Sequence, residues 1–169
     1  EPVHNLIHAD KIESKGATFT GKRLLEKKEF LASKDPWFRP VNFYVGPDGA
    51  LYVIDYYRQL VEHPEWMSDE VNNSGALYNG STKGRIYRIT KKGAGGMDWM
   101  KNLRLSGKSS KELTALLTHE NGWYRRTAQR LLFERSDKQV SPQLKEIVAS
   151  DKEVGTVQAL WLLNVLENL

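Results

Sequence analysis

Apolar positions alternate, or come in short β-branched and aromatic runs, through Thr90; beyond it they recur every three or four residues, so the chain changes period once. Period-two stretches at Thr18–Thr20, Asn42–Val45, Leu51–Ile54 and Arg85–Ile89 predict strands. The sharpest signal is Asn42–Val45 and Ala50–Asp55 flanking Gly46-Pro47-Asp48-Gly49, where Pro in second place and Gly in last suit a tight turn between antiparallel strands. In Arg85–Ile89, Ile86 and Arg88 face one way and Arg85, Tyr87 and Ile89 the other, so the strand has no clean apolar side and suits partial burial on both faces.

Gly93-Ala94-Gly95-Gly96 marks a linker, since so many glycines hold regular structure poorly. Ser109-Ser110-Lys111-Glu112 is a capping-box pattern opening a helix with Leu113, Leu116 and Leu117 on its apolar stripe. Asn121 is placed to cap a second helix, where Tyr124, Ala128, Leu131 and Leu132 recur at helical spacing with Arg125, Arg126 and Arg130 on the other side. Ser141-Pro142 starts a third, reaching about Ala149. A fourth runs from about Val154 to Glu167, with Val157, Leu160, Trp161, Asn164 and Val165 on or near one face. The fold class read from this pattern is α+β: antiparallel strands over 1–90, a Gly-rich linker over 91–107 and helical repeats over 108–169. Two helical pairs are few for a solenoid, so an array is expected to continue past Leu169.

At 169 residues the chain suits one ordinary domain or two small ones. No run of eighteen apolar residues and no charged-then-apolar leader occurs in it, so neither a membrane span nor a signal peptide is expected within these residues. The opening Glu1-Pro2-Val3-His4-Asn5-Leu6-Ile7-His8 reads as mid-protein sequence, which suggests a fragment or a processed piece. With no cysteine, disulfides, thiolate metal sites and a CxxCH haem attachment are excluded within the chain. The net charge of +4 arises beyond Thr90, where 13 basic and 9 acidic residues stand against 12 and 12 before it. Spread over several helices, that surplus reads as a solvated surface, and no nucleic-acid partner is expected.

The densest chemistry is Asp55, Tyr56, Tyr57, Arg58, Glu62 and His63, where a strand ending in a carboxylate runs into an arginine and an acid–imidazole pair. Asp55, Arg58, Glu62 and His63 are the pocket candidates: the arginine offers a planar fork to a carboxylated quinone or a sugar hydroxyl, Asp accepts hydrogen bonds, and an imidazole titrating near neutrality can act as a base. The structural alternative has Arg58 bridging to Asp55 or Glu62 to pin the loop. His4 and His8 share a face whether helical or extended, yet no third ligand follows at a recognisable spacing, and no metal is expected there. Asp48 suits a bond to its own turn backbone better than a calcium loop, which would add acids at alternating positions. Trp37, Phe38 and Trp66 read as packing residues, although sugar platforms look the same. Trp123, Arg125, Arg126 and Arg130 are the partner-binding candidates; in the structural alternative the aromatics pack between repeats and the arginines cap carbonyls or face water. Gly93–Gly96 lacks the Lys-Ser or Lys-Thr of a phosphate loop.

Trp37-Phe38-Arg39-Pro40-Val41-Asn42, then Gly46 to Arg58, Glu62 to Trp66 and Gly84 to Ile89, in that order, resemble the last part of the β-propeller in planctomycete and verrucomicrobial membrane-bound dehydrogenase proteins, relatives of quinoprotein sugar dehydrogenases. The opening eight residues fit that family too, and His119 to Arg135 fits its first HEAT-like helical repeat, so the resemblance covers nearly the whole chain. It implies propeller-blade-like strands over 1–90 and a HEAT-like segment over 108–169. For the parent it implies extracytoplasmic, periplasmic oxidation of a sugar or other alcohol, with pyrroloquinoline quinone and calcium as cofactors. Electrons would pass to a cytochrome c, with haem c carried only on another domain. None of the catalytic base, calcium ligands or haem motif of such enzymes matches a residue here, so this chain alone is expected to be inactive. Four or five strands are also too few to close a propeller, which leaves the remainder of the parent propeller or other subunits as partners.

Two other functions suit the same residues. A scaffold module would dock a partner on a continuous groove along the helices and would have no pocket near Arg58. A structural subunit of a larger assembly would carry an exposed apolar flank on the last helix around Trp161 and Leu162.

Overall fold

The chain is mixed α and β, as seen in a computed structural model that describes residues 1–150 and 153–166. Glu167, the expected end of the last helix, and Leu169 lie outside the described residues. Two compact units emerge, one comprising Glu1–Tyr44 with Leu51–Ile89, the other Val45–Ala50 with Thr90–Leu169.

The first unit consists of small antiparallel sheets. Strand β1 (Leu6–Ile7) pairs with β4 (Leu31–Ala32), and β2 (Asp10–Lys15) with β3 (Thr18–Arg23). Strands β5 (Pro40–Val45), β6 (Leu51–Asp55) and β7 (Arg85–Ile89) form a three-stranded sheet in that order. The register of β6 with β7 settles which side of β7 faces inward. Leu51 lies opposite Ile89, Val53 opposite Tyr87 and Asp55 opposite Arg85, and Val53 is fully buried with Ile7 and Phe38, flanked by Leu31, Leu51 and Ile89. Ile86 on the other face is 70% exposed. Val41, Phe43 and Val45, one face of β5 by the two-residue period, are exposed as well. The β segment thus buries little of its own apolar surface. A short helix, α1 (Asp69–Asn73), starts on Ser68, whose hydroxyl accepts from the Val71 N–H.

The second unit is helical, and its starts follow the capping residues. Helix α2 (Ser110–Ala115) has a complete capping box, Ser109 Oγ accepting from the Glu112 N–H and Glu112 Oε2 from the Ser109 N–H. Helix α3 (Gly122–Arg135) is capped by Asn121 Oδ1, and α4 (Ser141–Ala149) carries Pro142 in its first turn, where a missing N–H costs nothing. Asn121 also donates through Nδ2 to the carbonyls of Gly46 and Pro47, so one amide caps α3 and grips the Gly-Pro-Asp-Gly turn within this unit. Inside the turn the Gly49 N–H reaches the Gly46 carbonyl and Asp48 Oδ1 accepts from the Ala50 N–H.

Leu105, Leu113, Leu117, Ala128, Leu132, Val140, Leu144, Ala159, Leu162, Leu163 and Leu166 form the helical core. Leu105 and the partly buried Leu103 belong to the segment that carries the glycine run, so its last residues pack into this core. Helix α5 (Glu153–Val165) departs from the sequence reading in two ways. Its backbone breaks at Val154 and Gly155, where φ of +95° at Gly155 and a hypothetical Cβ only 2.6 Å from the Leu117 carbonyl oxygen admit glycine alone. Its core face is Gly155, Ala159, Leu162 and Leu163, whereas Val157, Leu160, Trp161, Asn164 and Val165 point outward. The expected flank around Trp161 and Leu162 is therefore half right: Trp161 is exposed and Leu162 is buried.

Candidate functional site

Strand β6 ends in Asp55, whose side chain is fully buried. Oδ1 accepts from the backbone N–H groups of Arg39 (2.8 Å) and Tyr57 (3.0 Å), while Oδ2 takes Nε (3.0 Å) and Nη2 (2.8 Å) of Arg85. Four donors saturate the carboxylate, so Asp55 organises the strand end and has no lone pair to spare for a ligand. Burial works against the charge on Arg85, but its bond to Asp55, the charges of Tyr87 and Asp55 and its bond to Asp35 together outweigh this, and its pKa is raised. The guanidinium lies 4.2 Å from the centre of the Tyr57 ring, which fixes its plane.

Arg39 supplies the second support. Its side chain is buried and donates to four backbone carbonyls, those of Pro2 (3.0 Å), Val3 (3.1 Å), Arg58 (2.9 Å) and Gln59 (2.6 Å). Tyr57, between these anchors, is held at φ of +49°, an uncommon conformation for a bulky residue. Its carbonyl oxygen lies only 2.7 Å from where a Cβ on Gly80 would be. This scaffold of Asp55, Arg85, Arg39 and Gly80 aims the next residues outward.

Arg58 stacks its guanidinium 4.1 Å from the Tyr56 ring centre and donates through Nη1 to the carbonyls of Tyr56 (3.2 Å) and Tyr57 (2.9 Å). Among the described residues no carboxylate pairs with it, so the expected bridge to Asp55 or Glu62 is replaced by carbonyl and ring contacts, with Arg85 on Asp55 instead. Arg58, Glu62 and His63 line one open cavity of about 510 Å³ with Tyr56, Leu60, Val61, Pro64, Leu77 and Tyr78. Asp55 lines an adjoining cavity of about 290 Å³ with Arg58, Ser81 and Arg85. The Glu62 carboxylate accepts from the His63 N–H. His63 Nδ1 accepts from the Glu65 N–H at 3.4 Å, which leaves the proton of the neutral ring on Nε2. In that state the exposed nitrogen donates, so His63 is set to orient a ligand oxygen. The cavity thus offers guanidinium and imidazole donors, one carboxylate acceptor and the exposed Tyr56 and Tyr78 rings.

Other candidates are engaged locally. His4 bonds to Glu1, and His8 lies between Glu29 (2.7 Å at Nδ1) and Asp10 (3.0 Å at Nε2). Those carboxylates sit on opposite edges of the ring, and no cluster among the described residues converges to hold a metal. In α3, Arg125 donates to the carbonyls of His119 and Glu120, and Arg130 pairs with Glu134. Trp123 packs edge-on against Tyr124, both partly buried against the helical core, while Arg126 and Arg130 are exposed. Arg39 and Arg85 were not visible as site-builders in the sequence, because their partners lie 16 to 50 residues away.

No helix among the described residues is long and apolar enough to cross a membrane. Residues 1–93 match the family model of DUF7133, a domain of unknown function, and the chain belongs to that family. No curated protein and no solved structure matches it.

Proposed function

We propose that this DUF7133 chain is the terminal propeller segment of a quinoprotein-like dehydrogenase, with HEAT-like helices attached, and that the cleft beside Arg58 binds the sugar or alcohol oxidised by the parent outside the cytoplasm. The observation that carries the reading is the cleft itself: donors on Arg58 and His63, an acceptor on Glu62 and two exposed tyrosine rings suit vicinal hydroxyls on a ring with an apolar face. The exposed faces of β5 and β7 add support, because a neighbouring blade would cover Val41, Phe43, Val45 and Ile86. A cytochrome c would take the electrons.

The residues of this cleft do not fit the calcium of such enzymes. Asp55 is consumed by Arg85 and two backbone donors, and Glu62 has no second carboxylate beside it on the cavity wall, so no calcium set is assembled there among the described residues. No reaction step is assigned to this cleft; it holds and orients. The test is titration of the labelled chain with neutral monosaccharides, following the Arg58 Nε and tyrosine ring signals, with Arg58→Gln and Tyr78→Ala as variants. Perturbations confined to the cleft and abolished in both variants are expected; signals unmoved at millimolar sugar would sink the cleft assignment. The native protein should in addition be much heavier than 19.4 kDa and carry quinone or haem absorbance, and a 19.4 kDa species without a chromophore would end the redox reading.

One observation favours a second reading, a protein-binding scaffold, against which the cavity beside Arg58 counts. A groove of about 380 Å³ between α2 and α4, lined by Lys111, Thr114, Thr118, Gln143, Glu146 and Ile147, has the mixed lining that an extended peptide needs.

A further inference from the structure

Helix α5 is apolar on both sides. Gly155, Ala159, Leu162 and Leu163 face the helical core, yet Val157, Leu160, Trp161, Asn164 and Val165, at i, i+3, i+4, i+7 and i+8, form a second stripe that is exposed, Val157 by 73%. Phe133 of α3 lies against Trp161 at 5.4 Å and widens it. A helix apolar all round is normally covered on both sides. Two features say by what. No charged residue occurs between Val154 and Asn164, so bringing two copies together costs no like-charge repulsion. The single polar member of the stripe is Asn164, whose amide has no partner among the described residues. A carboxamide both donates and accepts, so it is satisfied by its own image across a two-fold axis. A lone asparagine in an apolar seam is also a known way of setting register and limiting assembly to two.

We infer that the outer face of α5 is a homodimer interface, α5 packing on α5 of a second copy with Asn164 at the axis. Beyond its break the helix runs from Thr156 to Val165, roughly 15 Å, and one helix face per partner lies at the low end of specific interfaces, below about 1,200 Å² in total, so the dimer is weak and its population depends on concentration.

Sedimentation of the full chain over a wide concentration range tests it. A mass rising from 19.4 kDa towards twice that value is expected. Val157→Glu should weaken association at least tenfold, whereas Ile12→Lys, at an exposed apolar position on β2, should leave it unchanged. Because the chain has no cysteine, Asn164→Cys introduces a unique thiol that should oxidise to a covalent dimer, and Lys111→Cys on α2 should not. A chain that stays monomeric at the highest concentration, or dimerises regardless of Val157, would overturn the inference and leave the face to a further helical pair or another subunit.

Discussion

Asp55 illustrates how a residue can be conspicuous in sequence and do a different job in the fold. An acid closing a strand just before Tyr-Tyr-Arg invites a ligand role, but the register of β6 with β7 places Arg85 opposite it, and two backbone N–H groups take the other oxygen. Asp55→Asn should cost about 3–5 kcal/mol in urea unfolding, the range for removing one partner of a buried ion pair; a loss below about 1 kcal/mol would show the strand end held by something else. His8 gives a pH prediction. Hydrogen bonds to Glu29 and then Asp10 raise its pKa, while His8 and then Arg23 lower that of Glu29. A raised imidazole pKa gives stability that is fully present below the ordinary histidine value and lost as pH rises through the folded value. The depressed Glu29 gives stability present above the ordinary carboxylate value and lost as pH falls through its folded one. The pair therefore acts between the two titrations, and salt should weaken it because His8 is exposed and Glu29 only partly buried. In an NMR titration, Glu29→Gln should bring the His8 midpoint down, and an unmoved midpoint would refute the contact.

Elements with local chemical punctuation were the ones legible in advance. The Gly-Pro-Asp-Gly turn, the Ser109 box, the Asn121 cap and the Ser141-Pro142 start depend on neighbours within a few residues, and all appear at those positions. Ser109→Ala should accordingly cost about 1 kcal/mol, measurable by denaturation. The two-residue strands β1 and β4 left no periodic trace, because two residues define no period. The facing of α5 was hidden for the opposite reason: with apolar residues all round, either stripe satisfies a 3.6-residue period. Gly155 decided it, since only a residue without Cβ can sit against the Leu117 carbonyl. Gly155→Ala should destabilise the chain by more than the roughly 1 kcal/mol that a glycine-to-alanine change normally gains; a neutral or stabilising outcome in thermal melting would contradict the close approach.

As a whole, the chain divides its apolar burial unequally. Among the described residues the principal cluster in the β unit has three buried members, whereas the helical core has eleven. The β unit should consequently unfold first on heating, giving two calorimetric transitions with loss of strand signal in the earlier one. A single transition with coincident strand and helix signals would refute this. The imbalance also bears on the cleft, because Arg58 and its neighbours belong to the less stable unit.

Arg39 changes what instability means there. One guanidinium holds Pro2 and Val3 at one end and Arg58 and Gln59 at the other, segments more than fifty residues apart in the chain. Neither segment can swing away without stranding a buried charge, so their fluctuations are not independent events. The cleft rim and the first residues of the chain should open and exchange their amide protons as a single cooperative unit.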